Sequence, residues 1–157
     1  MAMAQDILLM IENEHREVEQ LFDQLENSGN GKKAQDCFNQ IYKELTLHTY
    51  AEELAFYPTM REYEELEGFI EEAESEHNAV KILLEQMKSL QPSDAEFKTK
   101  LTHLKESVMH HVQEEESEIF TAVRECIEEE KLQVLGQKFQ AAKQKWQSEV
   151  EAALARK

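Results

Sequence analysis

The chain has 157 residues and a formal net charge of −16 at pH 7, with only four glycines and two prolines. So few turn formers, where average usage is roughly 12% of residues, leave little room for an all-β fold. An apolar share of 41% suffices for one packed core and is too high for a disordered acidic tail, while 33 acidic against 17 basic residues repel nucleic-acid phosphates and anionic membrane surfaces.

Breaker-rich stretches divide the chain into five segments, and in each the apolar residues recur at alternating steps of three and four, the stripe a helix turns toward a core. The first stripe is Ile7, Ile11, position 15, Val18, Phe22 and Leu25, ending at ENSGNG (26–31). Its apolar run, Ile7 to Ile11, is too short for a signal-peptide core or a spanning helix, so the expected location is cytoplasmic. The second stripe is Phe38, Ile41, Leu45, positions 48 and 52, and Ala55, closed by YPTMREYEELEG (57–68). The third is Ile70, Ala73, position 77, Val80, Leu84 and Met87, up to LQPSD (90–94), where Ser93 and Glu96 have the spacing of a capping box. The fourth is Phe97, Leu101, Leu104, Val108, positions 111 and 115, Ile119 and Ala122. A weakly punctuated boundary near Glu128 to Lys131 precedes the fifth: Leu132, Leu135, Phe139, Ala142, Trp146, Val150 and Ala153. The expected fold is all-α, an antiparallel up-down-up-down four-helix bundle over residues 4–127 with an accessory C-terminal helix over 130–156, in one domain spanning 1–157. That last stripe is expected to cover the bundle rather than pair with another subunit. Cys37 and Cys126 lie alone in helical patterns and read as free, half-buried thiols.

Six slots that the periodicity assigns to the core hold His15, His48, Glu52, His77, His111 and Glu115. They are duplicated. ENEHREVEQLFDQL from Glu12 aligns with ESEHNAVKILLEQM from Glu74, matching His15 with His77 at an offset of 62. HTYAEELAFY from His48 aligns with HVQEEESEIF from His111 at an offset of 63, matching Glu52 with Glu115. A pseudo-twofold bundle with three ligand-type side chains from each half follows.

Residues four apart lie one above the other on a helix, so each His-x-x-x-Glu presents an imidazole and a carboxylate to one point. Burying an unpaired carboxylate costs several kcal/mol and two facing carboxylates cost more, a cost that cations remove. Imidazole and carboxylate suit iron, manganese or zinc, and carboxylate suits bridging two metals about 3.5–4 Å apart. Two bridging glutamates and two histidines per metal leave an open position for a small molecule. His103 and His110 read as flanking or exposed, the repeat selecting His111 over its neighbour. Glu53 and Glu116 are the next candidates, for a supporting role, and Lys81, one turn after His77, is a candidate hydrogen-bond donor beside the site. Nothing in the chain has the pattern of a separate nucleophile, phosphate loop or acid/base pair.

The EH of the first and third helices and the HxxxEExxxF-type pattern of the second and fourth resemble the hemerythrin-like, or HHE, cation-binding domain, over about residues 4–127. The His-then-Glu order at i, i+4 fits ferritin-like bundles poorly. The resemblance implies two iron ions joined by an oxo or hydroxo bridge, with manganese or zinc as substitutes. Oxygen-carrying hemerythrins have a fifth histidine where this chain has Lys81; four histidines and two carboxylates are instead similar to bacterial HHE proteins, including those linked to repair of iron centres and nitrosative stress. The function so implied is binding or sensing of O2 or NO at the iron pair. The alternatives are a catalase-like or NO-reducing enzyme, or an iron storage or repair protein. The expected partners are a small diatomic molecule or peroxide, without nucleic acid or membrane, in a monomer or homodimer.

Overall fold

Asp6, in extended backbone, accepts the Leu9 N–H at 2.9 Å on its carboxylate and satisfies an amide that has no partner inside the helix it starts. The computed structural model, which describes residues 6–155, is helical from there. The elements are α1 (Ile7–Glu26), α2 (Lys32–Ala51), α3 (Tyr57–Met60), α4 (Glu64–Lys88), α5 (Ala95–Glu114), α6 (Phe120–Cys126) and α7 (Glu129–Ala155). Five-residue π-helical turns, Glu52–Phe56 and Glu115–Ile119, carry α2 into α3 and α5 into α6, so each pair forms one continuous rod. Gly29, at a left-handed φ of 75°, makes the reversal after α1 that an L side chain would strain.

Two apolar cores stack along the bundle. One joins the start of α1 (Ile7, Ile11) and of α4 (Leu66, Ile70) to the far ends of the two rods (Phe56, Met60, Val123). The other joins the end of α1 (Phe22, Leu25) and of α4 (Leu84, Met87) to the starts of α2 (Phe38, Ile41) and α5 (Phe97, Leu104). Neighbours therefore run in opposite directions, giving the up-down-up-down bundle. The fifth helix covers it: α7 packs on α2 and α1, placing Phe139 in the first core and Val150 in the second, with Trp146 stacked on Tyr50 at 5.9 Å.

Three local expectations are corrected. The break at 57–68 is narrower, since helix persists to Met60 and resumes at Glu64. The capping box does not form: Asp94 caps α5 in place of Ser93, and its carboxylate is taken by the Gln91 N–H at 2.9 Å in the preceding turn. After the second π turn the buried residue is Val123, with Ala122 only half-buried. In each turn an N–H reaches five residues back, Tyr57 to Glu52 and Phe120 to Glu115, so one extra residue shifts the inward face of everything that follows. The thiols of Cys37 and Cys126 are free and half-buried. Residues 4 and 5 of the expected bundle, and residue 156 of the expected last helix, lie outside the described residues.

Candidate metal centre

Between the two apolar cores lies one polar layer. His15 on α1, His48 on α2, His77 on α4, His111 on α5 and the first residue of each π turn, Glu52 and Glu115, are all buried, the two carboxylates fully. The structure brings all six sequence-selected residues together. His48 Nε2 stands 3.2 Å and His77 Nε2 3.0 Å from Glu52 Oε1, while Glu115 sets Oε1 3.2 Å from His15 Nε2 and Oε2 3.3 Å from His111 Nε2. Two groups of donor atoms result, His15–His48–Glu52–Glu115 and Glu52–His77–His111, each with its atoms within 4.8 Å of one another and with Glu52 common to both.

The layer is incomplete as a hydrogen-bonded network. His15 Nε2, His48 Nε2, Glu52 Oε2 and Glu115 Oε1 are buried without a hydrogen-bond partner: the 3.2 Å contacts are close enough for charge attraction but wrongly angled for a bond. Such orphans each cost about 1–3 kcal/mol in a dry interior. Imidazole and carboxylate donors converging on one buried layer are the set that a borderline cation takes once protons leave it, so the residues present fit metal ions at the two groups.

Each outward ring nitrogen is anchored. His15 Nδ1 donates to Glu116 at 2.6 Å, His48 Nδ1 to Glu14 at 2.7 Å, His77 Nδ1 to Glu53 at 2.9 Å and His111 Nδ1 to Glu76 at 2.7 Å. A carboxylate only accepts, so Nδ1 carries a proton and a neutral ring presents its Nε2 lone pair inward. Lys81 bonds both oxygens of Glu53 at 2.9 Å, and so acts one residue behind His77 without touching the inner group. The histidine reading at 110 also resolves: His110 is 62% exposed, and His111 points in.

Residues 6–123 match the hemerythrin HHE cation-binding domain. This chain belongs to that family. It is 41% identical over 143 residues to a protein described as a DNA nickase from Nostoc sp. (strain PCC 7120 / SAG 25.82 / UTEX 2576), covering 91% of this chain and 40% of that one. It is 26% identical over 132 residues to an uncharacterised hemerythrin-like protein of Schizosaccharomyces pombe, covering 83% and 65%. The chain thus spans less than two thirds of either relative. The crystal structure of an HHE cation-binding domain-containing protein from Mycobacterium kansasii is similar in fold, with a TM-score of 0.83 at 21% identity over 98% of this chain and 94% of that one.

Three residues of this HHE site were not singled out by sequence reasoning. Glu14 and Glu76 had a signal, the E of the duplicated EH, which reaches the histidine of the neighbouring helix. The third, Tyr57, is fully buried, with its hydroxyl 2.9 Å from Glu115 Oε2, 3.2 Å from His77 Nε2 and 3.4 Å from Glu52 Oε1. Its repeat counterpart is Phe120, so the two halves differ by one hydroxyl at the centre.

At His15, His48, His111 and Glu52 burial opposes charge, yet the facing groups outweigh it. Glu52 and Glu14 hold His48 up at about 10, Glu115 and Glu116 hold His15 above its ordinary value, and Glu115, Glu52 and Glu76 hold His111 well above. His48, His111 and His77 hold Glu52 well below the usual carboxylate range despite its burial. Burial and the two carboxylates push the Tyr57 phenol well above its ordinary value.

Proposed function

We propose that this HHE protein holds two iron ions, one between His15 and His48 and one between His77 and His111, with Glu52 and Glu115 shared, and that it binds or senses O2 or NO beside them. The observation that carries this reading is an apolar chamber at the rings: a space of about 20 Å³ bounded by the four histidines and by Val18, Val80, Val108 and Val112. That is room for about one water-sized molecule. Thr49 offers no free donor there, its hydroxyl bonding Thr46 O at 3.1 Å. A neutral diatomic enters such a space without losing hydrogen bonds, whereas an anion or a polar metabolite would lose several. Bound ferrous iron supplies the electrons for diatomic chemistry. The chain's own groups orient the donors through the four Nδ1 bonds, exclude water with an apolar core on either side, and hold a proton at the Tyr57 hydroxyl.

That proton favours a second reading, peroxide turnover, because reducing peroxide to water requires protons and Tyr57 keeps its O–H at neutral pH. Protein produced with ample iron is expected to hold about two irons per chain by elemental analysis; fewer sinks the iron-pair reading. Anaerobic reduction followed by oxygen gives a reversible spectrum for a binding protein, and rapid gas evolution from peroxide selects the enzyme. In the enzyme, Tyr57→Phe is expected to slow gas evolution at least tenfold with iron content unchanged.

Nicking of DNA is said of the Nostoc relative, of which this chain covers 40%. We read the shared part as metal-binding and not DNA-gathering, since a chain at −16 repels phosphates. The iron-loaded chain is expected to leave supercoiled plasmid intact. No helix among the described residues is long and apolar enough to cross a membrane, which accords with the cytoplasmic location we propose.

A further inference from the structure

The four carboxylates behind the histidines are not closed alike. Glu53 pairs with Lys81, Glu116 with Arg16 and Glu14 with Lys143. Glu76, the repeat counterpart of Glu14, pairs with neither lysine nor arginine among the described residues. It faces His110, whose Nε2 lies 3.5 Å from Glu76 Oε2 and 3.2 Å from Glu114 Oε1. The difference follows from α7, which lies over α1 and α2 and delivers Lys143 to Glu14, while His110 remains 62% exposed.

His110 and Glu114 stand one turn apart on α5 and Glu76 comes from α4, so three donor atoms from two helices lie within 4.8 Å of one another. One imidazole nitrogen and two carboxylate oxygens, completed by water, are a ligand set for zinc or another borderline divalent ion. We propose that Glu76, His110 and Glu114 form a separate, solvent-accessible divalent-cation site, which takes the place that lysine or arginine fills behind the other three histidines. Glu76 joins the site to the inner centre: its Oε1 accepts the Nδ1–H of His111 at 2.7 Å while Oε2 turns toward His110. A cation there sits one carboxylate away from His111 in the buried layer.

The test titrates the protein as purified with Zn²⁺ by calorimetry, with the metal already in the chain measured by elemental analysis before and after. One additional Zn²⁺ per chain is expected, with the resident metal retained. His110→Ala and Glu114→Gln should each weaken it at least tenfold, while His103→Ala, which removes another exposed histidine, should leave it unchanged. Circular dichroism identical to the parent shows that the substitutions keep the fold. Absence of the added Zn²⁺, equal binding by His110→Ala, or Zn²⁺ uptake matched by loss of resident metal each overturns the proposal. A chain that arrives without resident metal yet gains one His110-dependent Zn²⁺ leaves this site standing while refuting the inner iron pair.

Discussion

Glu53 is the residue whose role is easiest to isolate. Half-buried at the edge of the layer, it fixes His77 through Nδ1 and is itself fixed by Lys81. Carboxylates placed this way typically contribute ten- to a hundredfold to metal affinity. Glu53→Gln is therefore expected to weaken iron binding by about that factor in competition with a chelator, with the fold intact. At this scale the sequence was informative about the inner group and about part of its support, Glu53, Glu116 and Lys81, and missed Glu14 and Glu76. Residues that interrupt an apolar stripe are conspicuous, so His15, His48, Glu52, His77, His111 and Glu115 stand out. Glu14 and Glu76 sit among many glutamates on polar faces, marked in the sequence by the duplicated EH alone, and the inter-helix distance separates an anchoring carboxylate from a solvated one.

The two rods place their carboxylates at the first position of a π turn. The inserted residue sets Tyr57 five positions after Glu52 on the same face, where an uninterrupted α-helix would set Phe56. A regular three-and-four count cannot anticipate that shift, which is why Tyr57 and Val123 escaped the stripe reading. Pro58 falls two residues after the first turn, but the second turn forms without a proline, so proline is not the common cause. The last helix was read more completely. Phe139 is fully buried with its ring edge-on to His48 at 6.1 Å, so Phe139→Ala should cost about 3–5 kcal/mol, measured by denaturant unfolding. A cost under about 1 kcal/mol would mean that α7 rests loosely on the bundle.

Over the whole molecule, protons and metal ions compete for one buried layer. A histidine whose pKa is raised on folding adds stability that is present in full below its ordinary value of 6.5 and lost as pH rises, for His48 through about 10. His15 and His111 shift in the same direction. Glu52, lowered, adds stability that is present above its ordinary 4.5 and lost in acid. Chelated protein should therefore be most stable between about pH 4.5 and 6.5 and melt at falling temperature toward pH 10. Metal takes the place of those protons and binds more tightly as they leave. The gap in melting temperature between loaded and chelated protein should widen from pH 6 to 9 in scanning calorimetry. A constant gap would place the titrating protons elsewhere.

Periodicity, the scarcity of glycine and proline, and a repeat at offsets of 62 and 63 determined the helical bundle and the six residues that meet in it, because burial within a helix is a local pattern written every three or four residues. The tertiary structure alone decided which glutamates hold which histidines, that Lys143 from the last helix closes Glu14, and that Tyr57 joins the layer. Those contacts depend on helix registry and on two π turns, and registry is set by packing between segments distant in the chain, which no local pattern records.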